Sequence, residues 1–445
     1  MDFKLPKRIL GVFETFQKNN FEIYVVGGAV RDLLTGKSVY DWDFTTNATP
    51  EEILKLFPNA YYDNQFGMVG IKPEIKGERP LEITTFRTES GYSDNRRPDR
   101  IVWGKTLEED LKRRDFTINA MALGPNNQLI DLFNGQEDLK KKIIRAVGDP
   151  NERFGEDALR IMRAVRIATQ LNFAIENDTL EAIKNNAPTL QNISKERVKD
   201  ELFKILASHH VYEGILLFRL SGLMAQVIPE MEKAFGVEQK SPGRHHIYDV
   251  GTHLLMSLKA VAEKTTDPVT RLATLIHDIG KPQTYKKLPN GTITFYNHEM
   301  VSTKIAERIA ERLKFSNSET DKLVKLVRWH QFTVSENQTD SAIRRFIKNI
   351  TPEYVEDAIL LRIGDRLGGG ARETSWRLEE FKKRLVEVQK QPFAVRDLKI
   401  NGRDVMQVLK IASGPKVGEV LQKLFNEVVA GKLANDRSTL LSALQ

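Results

Sequence analysis

Over the first 140 or so residues the spacing of apolar positions changes every few residues, which predicts short elements of mixed type. Leu5 to Gln17 carries apolar residues three to four apart, the pattern of an amphipathic helix. Glu22–Val26 (EIYVV) is a β-rich run halted by Gly27-Gly28, and a short helix is expected from Ala29 to Leu34. Further β-type segments are expected at Asp41–Thr45, Met68–Lys72, Leu81–Arg87 and Arg100–Val102. Past Asp149-Pro150 the texture changes to long helical patterns with few strand signals. Breaks are expected near Pro188, Pro229, Ser241-Pro242-Gly243, Gly368–Gly370 and Pro392. The chain shows no low-complexity tract and no short-period repeat. The expected fold class is α+β, with a head built on a small mixed sheet and an elongated all-α body behind it.

Composition narrows the chemistry. The chain has 445 residues, 40% hydrophobic and 29% charged, which argues against wholesale disorder and against an integral membrane protein. No apolar run approaches the roughly 18 residues of a membrane span, and the charged N-terminus lacks a secretory apolar block, so a cytoplasmic location is expected. With no cysteine, disulfides, thiolate metal sites and thiol nucleophiles are excluded, and any metal must be held by His, Asp or Glu. Lys and Arg exceed Asp and Glu by 67 to 60, a net +7 that permits a nucleic-acid partner without demanding one.

Two carboxylates stand out in Tyr40-Asp41-Trp42-Asp43-Phe44. On a strand, residues two apart share a face, so Asp41 and Asp43 would face one way and Trp42 and Phe44 would enter the core. Paired carboxylates repel unless a cation sits between them, and two-metal nucleotidyl transfer uses such a pair. Just upstream, Gly27-Gly28-Ala29-Val30-Arg31-Asp32 joins a strand to a helix, a setting in which backbone N–H groups and an arginine fork suit phosphate. Gly36-Lys37-Ser38 looks like the end of a phosphate-binding P-loop, but Arg31 stands where that motif needs glycine.

Taken in order, GGAVRD, DWDF, LEEDLKRRDFTINAMAL at 107–123 and EDALRIMRAVR at 156–166 resemble the class II tRNA nucleotidyltransferases, the CCA-adding family of the polymerase-β superfamily. The resemblance covers roughly residues 20–205. It implies a polymerase-β-like head at 1–145, a nucleotide-selecting neck at 146–210, an all-α body at 211–370 and a helical tRNA-binding tail at 371–445. It implies addition of CCA to tRNA 3′ ends from CTP and ATP, with Asp41 and Asp43 holding Mg2+ and Glu82 as a third carboxylate. Gly28, Arg31, Arg113, Arg114, Asp115 and Asn119 would meet the nucleotide's sugar and triphosphate. Asp157 and Arg160, taken as i and i+3 on one helix, would read the amino group and bare ring nitrogen shared by cytosine and adenine, with Glu156 orienting Arg160. Arg160, Arg163 and Arg166 would line one basic edge, Arg166 equally suiting a solvated face. The polar segment 87–105, with Gly91, Tyr92, Arg96, Arg97 and Pro98, resembles the family's flexible loop. Poly(A) or A-only addition stays open, because the Asp157 and Arg160 pair fits both bases.

All eight histidines fall between 209 and 330. Leu275-Ile276-His277-Asp278-Ile279-Gly280-Lys281 resembles the HD phosphohydrolase signature, flanked by His253, His298, His330 and Asp365. That resemblance implies a divalent metal such as Ni2+, Mn2+ or Co2+ on these six residues, and a second reading in which phosphohydrolysis of RNA ends is the main activity. In the tail, from 371 to 445, Lys and Arg outnumber Asp and Glu by 14 to 9, and glycine-led helix starts at Gly402 and Gly414 suit phosphate contacts with tRNA.

Overall fold

The structure is a computed structural model that describes residues 3–63, 67–73, 75, 77–90, 100–104, 106–239, 247–332, 339–389 and 395–445. The expected breaks at Ser241-Pro242-Gly243 and Pro392, and Gly91, Tyr92, Arg96, Arg97 and Pro98 of the polar segment, lie outside the described residues. The chain forms two compact units. One comprises Met1–Gly236, Thr265–Arg271 and Arg308–Asn317, and the other Val237–Lys264, Leu272–Glu307 and Ser318–Gln445. Among the described residues no helix is long and apolar enough to cross a membrane.

The first unit opens with α1 (Lys7–Lys18), which starts two residues later than the periodicity suggested because Pro6 forms its N-cap. Next come β1 (Ile23–Val26), α2 (Gly28–Leu34), β2 (Asp43–Thr46) and α3 (Pro50–Leu56). Strands β3 (Ala60–Asp63), β4 (Met68–Ile71) and β5 (Leu81–Thr85) follow, then the hairpin β6 (Arg87–Ser90) and β7 (Arg100–Trp103). Helix α4 (Leu107–Lys112), a 3-10 turn at Thr117–Asn119, β8 (Met121–Leu123), β9 (Leu129–Asp131) and α5 (Gly135–Lys141) complete the head. The sheet runs in the order β3-β4-β5-β2-β1-β8-β9, with β2 and β5 the parallel pair in an otherwise antiparallel array. The run expected at Leu81–Arg87 is therefore two strands: β5 in the main sheet, and β6 paired with β7 so that Arg87 faces Trp103.

Helix α1 buries Ile9, Val12, Phe13 and Phe16 beneath this sheet, where Phe13 meets Phe44 edge-on at 6.0 Å between ring centroids. Each such fully buried side chain is worth about 1.5–3 kcal/mol. Trp42 and Phe44 are buried as expected. That core fixes which face of β2 is free for chemistry.

Behind the head, α6 (Pro150–Glu156), α7 (Leu159–Leu171), α8 (Asn177–Asn186) and α9 (Lys195–Leu206) carry the chain. The chain is helical from there, with the short antiparallel pair Lys286–Lys287 and Ile293–Thr294 as its only extended structure among the described residues. The tail helices at Gly402–Leu409, Pro415–Val429 and Arg437–Ser442 share a core of their own around Val405, Leu424 and Leu440.

Candidate active site

The first site grows from the strand register. In the parallel pair, Asp43 on β2 is the Cα partner of Glu82 on β5, so two carboxylates from positions 39 apart stand side by side on one sheet face. Their electrostatics register the crowding. Burial, and then the neighbouring charge of Asp41, push the Asp43 carboxyl above its ordinary value, while Arg114 pulls it down. Glu82 is raised by burial and then by Asp43 and Asp41. Carboxylates that resist ionising together are a donor set short of positive charge, which a divalent cation would supply.

Asp41 departs from the expected geometry. Strand β2 begins at Asp43, where Val26 of β1 and Glu82 of β5 both pair; the Glu82 N–H bond to the Trp42 carbonyl, at 3.2 Å, stops short of Asp41. Asp41 lies just outside the strand, exposed, and its carboxylate pairs with Arg79. Among the described residues, the groups of three or more metal-donor side chains whose ligand atoms gather within 4.8 Å do not include Asp41, Asp43 and Glu82 together. The strand face presents Asp43 and Glu82, with Asp41 just beyond its end.

The glycine turn sits where the strand–helix pattern put it. Gly27 caps α2 with φ of 71°, a conformation that suits glycine. A Cβ there would fall 3.3 Å from Arg114 Nη1 and 3.5 Å from Asp43 Oδ2, so a side chain at this position would press on the site.

A cavity of about 370 Å3 opens beside these carboxylates. Of the residues read from the sequence, Asp43, Glu82, Arg113, Arg114, Asp115, Asp157, Arg160 and Arg163 line it, whereas Asp41, Gly28, Arg31 and Asn119 do not. Arg31 instead donates to Asp32 and, through Nη1, to Asn119 Oδ1 at 2.9 Å. Asn119 Nδ2 in turn donates to Asp115 Oδ1 at 3.3 Å, and Asp115 Oδ2 receives Arg163 Nε and Nη2 at 2.9 and 2.6 Å. Arg31 and Asn119 thus reach the cavity through Asp115. Burial raises the Asp115 carboxyl, but Arg163, with Arg160 and Asn119 behind it, outweighs burial and holds it at about 2. A folded-state value below the unfolded 3.8 stabilises the fold above that pH, and the contribution disappears as pH falls from about 4 through 2. Asp115→Asn is therefore expected to lose on the order of 2 kcal/mol of stability at neutral pH and to flatten the acid limb between pH 4 and 2. Chemical denaturation at a series of pH values checks this; an unchanged acid limb would contradict it.

The base-reading pair also differs from expectation. Asp157 is not on the helix of Arg160. It has extended backbone, φ −138° and ψ 104°, at the end of α6, and its Oδ1 accepts from Leu159 N at 2.9 Å at the opening of α7. The i,i+3 spacing assumed one continuous helix, and a break falls inside it: the backbone turns extended at Asp157, the C-cap of α6, and α7 starts only after Ala158. Both residues still reach the cavity. Glu156 Oε2 holds Arg160 Nη1 at 2.6 Å, and Arg160 Nη2 donates to the Arg113 carbonyl at 2.9 Å. Arg166 does not line the cavity; its Nε pairs with Glu201 Oε2 at 2.6 Å, so the three arginines do not form one phosphate-facing edge.

Four lining residues were not singled out from the sequence as site residues: Thr84, Arg87, Leu159 and Arg197. Arg197, in the first turn of α9, reads as one more charge on a polar helix face, yet its Nη2 stands 3.5 Å from Asp157 Oδ2.

In the second unit, six residues from five helical stretches converge. His253 lies within Val250–Ala262, His277 and Asp278 directly follow Pro268–Ile276, and His298 opens His298–Arg312. His330 follows Asn317–Arg328, and Asp365 sits within Val355–Gly368. Gly368 permits one of these approaches, since a Cβ there would lie 2.8 Å from the His253 carbonyl oxygen and 2.7 Å from Ser257 N. His253 Nε2 is 3.2 Å from His277 Nε2, 3.4 Å from Asp278 Oδ2 and 3.3 Å from Asp365 Oδ1. Ligands at about 2.1 Å from a tetrahedral or octahedral ion stand about 3.0–3.4 Å apart, so these spacings fit a cation. On the other side of the same carboxylate, Asp278 Oδ1 is 3.0 Å from His298 Nε2 and 3.4 Å from His330 Nε2. The Nδ1–H groups of His277, His298 and His330 donate to the carbonyls of Thr274, Phe295 and Val327 at 2.7–2.8 Å, which leaves each Nε2 lone pair facing the cluster. The cluster draws positive charge: burial opposes protonation of His277, but Asp278 and Asp365 push it up to about 10. His330, where burial dominates, is held below its usual value.

Comparison with known proteins identifies the family. Residues 23–145 match the family described as "Poly A polymerase head domain". Residues 172–235 match "Probable RNA and SrmB- binding site of polymerase A", and 292–444 match "tRNA nucleotidyltransferase domain 2 putative". A CCA-adding enzyme of Lactobacillus helveticus is 48% identical over 231 residues, a match that spans 51% of this chain and 57% of that relative. The CCA-adding enzyme of Levilactobacillus brevis is 35% identical across 100% of this chain and 98% of its own length. Among solved structures, the Bacillus stearothermophilus CCA-adding enzyme in complex with CTP superimposes with a TM-score of 0.68 at 27% identity, covering 98% of this chain and 96% of that one. The mixed-sheet head, the ordered motifs and a relative matched from end to end together show that the chain belongs to the family of CCA-adding enzymes, the tRNA nucleotidyltransferases.

Proposed function

We propose that this chain adds CCA to the 3′ end of tRNA from CTP and ATP, at the cavity between Asp43, Glu82 and the arginines that follow α4 and those of α7 and α9. The observation that carries the reading is the charge of that cavity: six arginines (87, 113, 114, 160, 163 and 197) face four carboxylates (Asp43, Glu82, Asp115 and Asp157). Arg114 Nε and Arg197 Nη1 are buried donors with no partner among the described residues, which suits an anionic ligand. Asp41, Asp43 and Glu82 would hold Mg2+; bound there, it polarises the attacking 3′-hydroxyl and neutralises the departing pyrophosphate. The head (1–145), neck (146–210), body (211–370) and tail (371–445) are assigned transferase, base-selecting, HD and tRNA-binding roles.

Base choice falls to the protein. Asp157 uses one acceptor position on Leu159 N and keeps others for an amino group. Arg160, fixed by Glu156 and the Arg113 carbonyl, donates to a bare ring nitrogen. Uracil and guanine present the reverse order and would leave both groups unpaired. Arg160→Ala is expected to lower kcat/KM for CTP and ATP together by roughly 5- to 100-fold and to narrow discrimination against UTP and GTP. Steady-state kinetics with the four nucleotides decide it; unchanged CTP use with UTP and GTP still excluded would remove Arg160 from base reading.

The deciding experiment incubates purified protein with tRNA lacking CCA and labelled CTP and ATP, separately and together. CTP alone should give CC ends, and both together should give CCA. Incorporation of ATP alone onto bare ends, or a poly(A) ladder, would overturn the reading in favour of an A-adding polymerase.

The HD cluster supports a second, independent activity, hydrolysis of phosphate esters at RNA ends. His253, His277, Asp278 and Asp365 would hold one divalent ion, and Asp278, His298 and His330 fit a second. Imidazole and carboxylate donors suit Ni2+, Mn2+ or Co2+, and a metal there supplies an activated water.

A further inference from the structure

Asp110 is the most enclosed carboxylate near the transferase cavity, and it is not among the residues that line it. It sits on α4 with no exposed surface, three and four residues before Arg113 and Arg114. Its Oδ1 accepts from Arg113 Nε and Nη2 at 2.9 and 2.6 Å, a bidentate fork, and its Oδ2 accepts from Arg114 Nη2 at 3.2 Å. One carboxylate therefore holds two consecutive guanidinium groups, each of which lines the cavity. Burial alone would push the Asp110 carboxyl up; the two arginines outweigh it and keep it ionised.

Geometry gives this pairing a purpose. Arg113 and Arg114 are adjacent in sequence, and like charges so placed repel unless an anion lies between them. Arg114 approaches the Gly27 turn and the Asp43 carboxylate, and Arg113 offers its carbonyl to Arg160, so the poses of these two arginines touch both the metal-binding side and the base-reading side of the cavity. We infer that Asp110 is a positioning residue for the nucleotide's triphosphate: it acts behind the cavity wall, holding Arg113 and Arg114 in place so that Arg114, whose buried Nε has no partner among the described residues, meets the β- and γ-phosphates. It touches neither base nor sugar, so its contribution depends on how many phosphates the ligand carries. The inference rests on the nucleotide-addition reading above.

The test compares Asp110→Asn with wild type for binding of CTP and CMP by calorimetry, with steady-state kinetics and thermal melting alongside. Wild type binding CTP more tightly than CMP establishes that the cavity takes a nucleoside triphosphate; if wild type binds neither, the nucleotide-addition reading itself fails. The expected result is about a tenfold or greater loss of CTP affinity in Asp110→Asn, against less than about a twofold loss for CMP. KM for CTP should rise with it, kcat should change less, and the preference for CTP over UTP should persist, since Asp157 and Arg160 are untouched. A residue needed only for folding would lower the melting temperature and the active fraction, with the CTP-to-CMP affinity ratio preserved. Folded Asp110→Asn with that ratio unchanged overturns the inference. If Asp110→Asn does not fold, Asp110→Glu keeps the charge but moves it by one methylene; it must show the same phosphate-dependent loss, and a wild-type ratio there overturns the inference equally.

Discussion

Asp43→Ala is expected to yield a folded protein that still binds tRNA and adds nucleotides slower by on the order of a thousandfold or more. Asp43 stands at the point where β1, β2 and β5 meet in register, so its position is set by three strands. Its carboxyl is crowded by burial and by Asp41, and removing it should relieve strain in the empty fold while taking away the central donor for the ion. Stability should therefore hold or rise while activity collapses, a split that a folding defect cannot produce. Asp41→Ala should also abolish addition, but with no stability change, because its exposed pairing with Arg79 is worth little. Single-turnover incorporation of labelled CTP, with tRNA binding measured in parallel, checks both. Wild-type-like incorporation by Asp43→Ala would reject the assignment of this strand face.

His277→Ala combined with Asp278→Ala should abolish the proposed metal binding of the second unit and leave CCA addition within a few-fold of wild type. Asp278 offers one oxygen to His253 and His277 and the other to His298 and His330, so its loss dismantles both halves of the cluster at once. Metal content after dialysis should fall to background, and phosphatase turnover of RNA ends with it. The stability change carries its own sign. Without an ion Asp278 still pairs with His277 and with the buried Lys281, so the metal-free double variant should melt lower than the metal-free parent, and the metal-loaded parent should melt higher than either. Loss of CCA addition in a folded double variant would show that the two sites are not independent.

Much of the chemistry was legible because it rests on local rules. Alternation placed Trp42 and Phe44 inside, the strand–glycine–helix order located the turn at Gly27, and the order of the four motifs implied the family before any distance was known. The six His and Asp residues that gather in the second unit stand in the order of the HD signature and its flanking residues. Where local rules misled, the cause is identifiable. The i,i+3 spacing of Asp157 and Arg160 presumed an unbroken helix, and the extended backbone of Asp157 at the end of α6 breaks it. The strand expected from Asp41 starts at Asp43, where Val26 of β1 and Glu82 of β5 both pair.

What the sequence determined by itself is the kind of chemistry: which residue types recur at which spacing, and hence a nucleotide-transferring head, a helical body with a metal-donor set and no cysteine chemistry. Only the tertiary structure decided which of those residues act together. Glu82 stands beside Asp43 because β5 runs parallel to β2, Arg197 reaches Asp157 across 40 residues of chain, and Asp110, one acid among several in a charged helix, is sealed behind two arginines. Such pairings depend on strand register and helix packing, which are settled by the burial of side chains far apart in the chain, and no periodicity within a single segment records them.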